Sequence, residues 1–571
     1  MKKTFRFAVI LISLIATVGF MNTDPTPKKI ILYNQVGYIS NAPKMLLVSP
    51  HVNQVQFVNE SGKTALQAIA SATEYWEPAG DSVRKIDFSS ITQPGKYKIF
   101  IDGEYQDTEV TIAAKPYHEL SMLVMKTFYL QRSGMPLKEE YAGKWARAAG
   151  HPDTAVYIHG SAASGKRIAG TTISSPEGWY DAGDYNKYIV NSAISTYTLF
   201  RAVEDYPAYY KSLNLNIPES NGKVPDLLSE ALYNFRWMMT MQDPDDGGVY
   251  HKLTNKTFDG EVMPHQASND RYVVMKTTAA SLDFAAVAAH LAFAEANGSY
   301  KVNGLGFRSL QKAEKAWAWA VANPNVIFKQ PTDIKTGEYG DDKLSDEWYW
   351  AACELFLATG KQEYADAIVK YYQQPVTPEW AIVHTLGTLS LLKSKKTIPQ
   401  AILKTGYRED FFSYVQTLTD KSNNSAFGVS ITKFEWGSNS SVANEGCLKL
   451  FAYQLTGNQD FLHSALADMN YLLGCNATGY CFVTGFGVQQ AKRIHHRPSQ
   501  ADGIEAPIPG FLVGGPNLVT FADCPGDKTR DRKYPAKSYA DQSCSYSTNE
   551  IAINWNAPMA YLSGALDAGK W

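Results

Sequence analysis

The feature that most constrains this chain is a change of hydrophobic period near residue 114. From Ile30 to about Ala113 the apolar residues come in short alternating runs, among them KMLLVSP, QVQFVNESGK, RKIDFSSI and PGKYKIFIDG, broken by turn residues. Alternation of this kind fits half-buried strands, and several such runs at short spacing predict an antiparallel β-sandwich of roughly 80 to 90 residues. After Lys115 the spacing becomes helical, first in YHELSMLVMKTFYLQ and again in YIVNSAISTYTLFRAVEDY, TTAASLDFAAVAAHLAFAEAN and VANEGCLKLFAYQLTG. About a dozen helices are predicted, with hardly any strand-like run between them. At 571 residues the chain exceeds what one ordinary core organises, so the two periods predict two domains, 23–113 and 114–571. Helices that repeatedly end at Gly fit helical hairpins stacked into a closed barrel. The turn-rich connections 147–180 and 476–546 are longer than structural links need, and a site is expected there.

Composition narrows the partners. Lys and Arg total 54 against 56 Asp and Glu, with no basic run interleaved with aromatics, so nucleic acid is not an expected partner. The 12 Trp and 34 Tyr suit a groove that stacks flat apolar faces such as those of sugars, although a large core also uses them. Residues 1–22 read as a secretory signal: Lys2, Lys3 and Arg6 precede the apolar stretch Phe7 to Phe20. A short membrane anchor is the alternative, but the stretch falls below the roughly 20 apolar residues of a span. Export to the periplasm, cell surface or medium is expected, with no membrane span once the signal is removed. The six cysteines contain no C-x-x-C pair; Cys475 with Cys481 and Cys524 with Cys544 are close enough to suggest disulfides, and buried free thiols are the alternative.

Three segments carry candidate chemistry. GWYDAGDYNKY, residues 178–188, sets Asp181 and Asp184 three apart across an Ala-Gly turn, just before a helix. Carboxylates that close repel when both ionise, so the pair either caps the helix or handles a water molecule. In YSTNEIAINWNAP, residues 546–558, Glu550 is expected to begin an apolar helix with Thr548 or Asn549 as its cap. IHHRPS, residues 494–499, offers adjacent histidines beside Arg497, which suits hydroxyl recognition better than metal because no second ligand pair lies near.

In chain order, DAGDY at 181–185, GGVYHK at 247–252, HHRPS at 495–499 and NEIAINWNAP at 549–558 resemble glycoside hydrolase family 9. NQVGY at 34–38, with RYVVMKTTAA at 271–280 and YGDDKLSDEWYWAA at 339–352, resembles the subgroup carrying an N-terminal immunoglobulin-like domain. The resemblance covers nearly the whole mature chain. It implies an all-β immunoglobulin-like sandwich followed by an all-α (α/α)6 barrel that hydrolyses β-1,4-glucan with inversion. It assigns Asp184 as general base, Asp181 as its partner on the water, and Glu550 as general acid. His251, His495 and Arg497 would bind sugar hydroxyls, Tyr546 would lie beside the acid, and Trp436 and Trp350 would stack on glucose rings. Trp555 stands where other branches of the family carry Tyr.

The acidic run Gly340, Asp341, Asp342, Asp346 and Glu347 resembles a family calcium site, with Asp342, Asp346 and Glu347 as expected ligands; a solvated helix start is the alternative. Relatives often hold a structural zinc ahead of the Asp pair, but here Ser133 and Gly150 stand where thiolates are expected and only His151 remains, so zinc is not expected. No organic cofactor is implied. The expected activity is that of an endo-glucanase acting as a monomer. An exo-acting or amino-sugar-releasing relative and a non-catalytic glycan binder are the competing readings.

Overall fold

The computed structural model describes residues 30–569; the expected signal segment 1–22 and the first residues after it lie outside this range. The N-terminal unit is a sandwich of two sheets. One orders Ile31–Leu32, Met45–Val48, Asp81–Asp87 and Glu74–Trp76; the other orders Tyr38–Ile39, Glu104–Ala113, Gly95–Ile101, Gln54–Asn59 and Thr64–Ile69. Alternation produces its core directly: in Gly95–Ile101, residues Tyr97, Ile99 and Ile101 are buried while Lys96 and Lys98 face out. Phe88 joins the two inner faces, stacked on Phe57 at 4.8 Å and edge-on to Tyr38 at 4.9 Å.

The second unit is a double ring of helices. Among the described residues, six helices form the inner ring: Ile189–Asp205, Thr278–Ala296, Ser345–Thr359, His384–Lys393, Ser438–Thr456 and Ile553–Ala568. The last packs against the first and closes the ring, and outer helices such as Leu305–Ala322, Gln362–Tyr371 and Gln459–Leu472 each back an inner neighbour. An inner helix touches protein on every side, so it is apolar all round rather than amphipathic. Thr278–Ala296 is long and apolar enough to cross a membrane by composition, yet 83% of that stretch is buried inside the barrel. This is the (α/α)6 architecture.

Two local readings of the sequence are corrected, the near absence of strands in the barrel and the suggested Cys475–Cys481 bond, while the suggested Cys524–Cys544 bond is present. A five-stranded sheet, Thr172–Ile173, Val156–Ile158, Tyr272–Val273, Lys252–Thr254 and Lys187–Tyr188, is woven from the barrel's loops. Its strands of two or three residues are too short to display alternation. Cys524 and Cys544 are bonded. Cys475 and Cys481 are not bonded to each other; each is a buried free thiol directed at a separate backbone carbonyl, of Leu32 and Val483.

The contacts that join the units include the NQVGY segment, one tryptophan and the Lys537–Asp81 ion pair at 2.6 Å. The Asn34 amide donates to Asn470 Oδ1 at 2.9 Å, and the Gln35 amide donates to the Gly479 carbonyl at 2.7 Å. Trp76 packs on Phe427 at 4.6 Å and on Phe434 at 6.0 Å, both from the barrel.

Candidate active site

The Asp turn feeds the short strand Lys187–Tyr188 and then the inner helix Ile189–Asp205. That helix takes Tyr188 as its N-cap with no side-chain cap, so neither aspartate caps it. Asp181 is 1% exposed. Its Oδ1 accepts from the Asn191 amide at 2.9 Å and its Oδ2 from the Tyr339 hydroxyl at 2.8 Å. Burial, followed by the charge of Asp184, pushes Asp181 up to about 8 despite those two bonds. Asp184 Oδ2 accepts from the Asn186 amide and more loosely from Tyr188 at 3.4 Å. Asp181 therefore keeps its proton well above the usual carboxylate range.

Glu550 differs locally from the sequence reading. It lies in an extended segment that leaves the short helix Tyr546–Asn549, and the inner helix begins only at Ile553. Extension lets residues 550 and 551 bridge to His495 and Val513 and pins the carboxyl at the barrel mouth. Glu550 Oε1 accepts from the Gly183 N–H at 3.3 Å, across 367 positions of sequence. Burial first, then Asp184, holds Glu550 well above the usual carboxylate range, so it keeps its proton.

Gly183 is the hub of this arrangement. Its carbonyl accepts from the Arg497 backbone N–H at 3.1 Å and from Arg497 Nη1 at 2.9 Å. A Cβ there would lie 2.4 Å from the His495 carbonyl oxygen, so only glycine allows the two segments to approach this closely.

Around these groups runs a cleft of about 770 Å³, lined by Asp181, Asp184, Glu550, His495, Arg497, Tyr546 and Trp436, with Tyr339, Trp380, Phe258 and Trp555. Trp436 is 41% exposed and stacks on Tyr546 at 5.5 Å. Trp555 forms part of the cleft floor, packed with Ala182 and Ala552. His495 is kept neutral chiefly by burial, and its Nδ1 bonds the Ser543 carbonyl at 2.7 Å. A carbonyl only accepts, so the proton sits on Nδ1 and Nε2 carries a lone pair.

Two expected sugar contacts lie elsewhere. His251 is 1% exposed, with Nδ1 on Thr277 at 3.1 Å, Nε2 on the Glu338 carbonyl at 3.0 Å and its ring stacked on Phe328 at 4.1 Å. It has no free nitrogen for a sugar and instead anchors the backbone next to Tyr339. Trp350 is 0% exposed, its indole N–H donating to Glu354 at 3.3 Å and its ring edge-on to Tyr197 at 5.3 Å. It is a core residue with no face toward the cleft. Conversely, Tyr339 and Trp380 line the cleft although no motif marks them: Tyr339 heads the acidic run, and Trp380 stands alone in a loop.

The acidic run forms a cluster with one change of membership. Ligand oxygens of Asp341, Asp346 and Glu347 lie within 4.8 Å of one another. Asp342 is exposed and outside the cluster, because the turn preceding Ser345–Thr359 points it to solvent and Asp341 inward. Asp283 from the neighbouring inner helix is fully buried, neither of its carboxyl oxygens has a hydrogen-bond partner, and its pKa is raised by burial, then by Asp346 and Asp341. Asp341 Oδ2 and Glu347 Oε2 are likewise without partners. Hard oxygen donors left unsatisfied in one place fit calcium. The zinc donor set does not fit. Ser133 Oγ is spent on the Glu177 carbonyl at 2.9 Å and Gly150 has no side chain, so His151, with Nδ1 on the Tyr180 hydroxyl at 2.9 Å and Nε2 unpartnered, is left as a single donor.

A helical barrel whose mouth sets a buried aspartate pair beside a protonated glutamate under an aromatic rim is the architecture of a polysaccharide hydrolase. Residues 117–563 match glycosyl hydrolase family 9 and residues 26–106 match the cellulase N-terminal ig-like domain; the chain belongs to glycosyl hydrolase family 9. It is 40% identical to a xyloglucan-specific endo-β-1,4-glucanase of Bacteroides ovatus, over 98% of this chain and 97% of that protein. It is 30% identical to endoglucanase D of Acetivibrio thermocellus, over 93% of this chain and 82% of the other. A solved Bacteroides ovatus GH9 structure superposes with a TM-score of 0.87 at 39% identity, covering 94% of this chain and 98% of that one. The protein is an inverting glycoside hydrolase of the endo-β-1,4-glucanase type.

Proposed function

We propose that Asp184 takes the proton of the attacking water, that Asp181 holds that water with it, and that Glu550 protonates the departing glycosidic oxygen. The observation that carries this reading is the Gly183 N–H on Glu550 Oε1, which sets the proton donor beside the aspartate turn. Inversion needs a base and an acid separated enough for a water to fit, roughly 6.5 to 9.5 Å between carboxyls, with the acid still protonated at working pH. The raised Glu550 meets the second condition, and the cleft meets the need for space. His495 Nε2 accepts a sugar hydroxyl, and Trp436 with Tyr546 supplies a stacking face at the rim.

Within β-1,4-glucans we assign xyloglucan as the favoured substrate, on the 40% identity to the Bacteroides ovatus enzyme over nearly the full length of both chains. Calcium, held by Asp283, Asp341, Asp346 and Glu347, would tie the segment carrying Tyr339 to the inner helices and supply no chemistry of its own. Action as a monomer is part of the same reading, and the segment 1–22 supports export. The test is turnover of soluble xyloglucan, linear and mixed-linkage glucans by the wild type, Asp184→Asn and Glu550→Gln. Each variant is expected to lose about three or more orders of magnitude in kcat with the fold intact. Near wild-type turnover by either rejects the role, and a preference for linear polymer rejects the substrate.

A further inference from the structure

The chain as a whole is nearly balanced, with a formal net charge of -2, but its cleft is not. Six carboxyl groups line it, of which Asp181 and Glu550 hold their protons and Asp184, Glu338, Glu379 and Glu435 are left to carry charge, against one permanently charged base, Arg497. That guanidinium is already committed to two backbone carbonyls, of Asp259 and Gly183. Lys252 is outside the lining, its ammonium bonded to Gln330, Thr336 and the Gly337 carbonyl.

Three of the six, Glu338, Glu379 and Glu435, have no part in the acid–base chemistry. Each is solvent-exposed on the cleft wall, and among the described residues none makes a hydrogen bond or close ion pair through its carboxylate, although Lys252 is near enough to Glu338 for the two charges to interact. Glu379 and Glu435 immediately precede Trp380 and Trp436, so two flat stacking faces each carry an adjacent anion. The two glutamates feel each other: after burial, the charge of Glu435 is the next cause raising Glu379. Unpaired like charges in a concave wall focus a negative potential into the space where the polymer lies.

We propose that Glu338, Glu379 and Glu435 make the cleft a charge filter, which admits uncharged β-glucans and rejects glucans bearing anionic substituents such as carboxymethyl ethers or uronic acid branches. The proposal rests on the cleft being the glucan site. An uncharged chain loses nothing to the field, and its hydroxyls can donate to the carboxylates. A substituent carboxylate is repelled at each subsite it enters. The repulsion acts over several ångströms through a partly wet cleft, so it is screened by salt.

The test compares kcat/KM on xyloglucan and on carboxymethylated xyloglucan of matched length, at low and high NaCl. The full-length wild type and Glu379→Gln/Glu435→Gln are assayed in parallel. For the wild type, the anionic-to-neutral ratio is expected to rise about tenfold as the Debye length falls from about 30 Å at 0.01 M to less than 10 Å above 0.1 M. The double variant should raise the ratio several-fold at low salt and flatten its salt dependence. A wild-type ratio indifferent to salt overturns the filter whether or not the variant folds. So does a variant that loses both activities equally, which would make the two glutamates hydroxyl acceptors only. Absence of turnover on both polymers by the wild type would instead remove the site reading, and the filter with it.

Discussion

Replacing Tyr339 by Phe deletes one oxygen and tests the aspartate pair directly. The Tyr339 hydroxyl donates to Asp181 Oδ2 at 2.8 Å, and burial raises its own pKa so far that it remains a donor throughout any assay range. Asp181 stands at about 8 because burial and Asp184 outweigh the bonds from Asn191 and Tyr339. A hydrogen bond to a charged acceptor contributes about 1.5 to 3 kcal/mol. If Asp181 helps hold the water as charge develops on the pair, kcat should fall about tenfold to a hundredfold, since ~1.4 kcal/mol is a decade in rate. Loss of the donor also favours the protonated form, so any limb of the pH profile governed by Asp181 moves alkaline by roughly one pH unit. The assay is kcat on soluble xyloglucan from about pH 5 to about pH 9, with thermal melting as a check on the fold. A kcat within twofold of wild type and an unmoved profile would refute the coupling of Tyr339 to the chemistry.

Two further outcomes follow from buried carboxyls. In the unfolded chain Asp181 releases its proton near the ordinary value of about 4, whereas the folded protein retains it to about 8. Folding therefore binds a proton between those limits, and this group's contribution to stability is greatest below pH 4 and declines as pH rises to 8. Asp181→Asn should consequently gain melting temperature relative to wild type as pH goes from about 4 to about 8, by the equivalent of a few kcal/mol; a constant difference across that window contradicts the burial cost. Chelation should lower the melting temperature at neutral pH, and added calcium should restore it in the wild type but not in Asp283→Asn, as ligand binding stabilises by about 4 kcal/mol at a thousandfold excess over Kd; identical melts with and without chelator would remove calcium from the cluster.

Much of the architecture was legible because it is local. Period two in residues such as Tyr97, Ile99 and Ile101 writes a sandwich, and helices apolar on every side, like Thr278–Ala296, write the inside of a double ring. The Asp181–Asp184 turn was equally visible, since both carboxylates sit within a few residues of each other and of the helix they precede. The loop sheet was not, because strands of two or three residues have no period to read. Nor was the direction of a side chain on a buried element. His251 and Trp350 have the chemistry of sugar contacts, yet both spend it inside the protein, while Asp341 rather than Asp342 turns inward.

What the sequence determined by itself was the inventory: two packing periods, a candidate base pair, a candidate acid and an aromatic supply for a cleft. Only the tertiary structure decided which of these meet. Gly183 and Glu550 touch across 367 positions because the last inner helix returns to the first, and because a residue without a Cβ lets the two loops close. Proton affinity was settled at the same moment, for burial is a property of the closed barrel, and a carboxyl has no raised pKa until the ring around it exists.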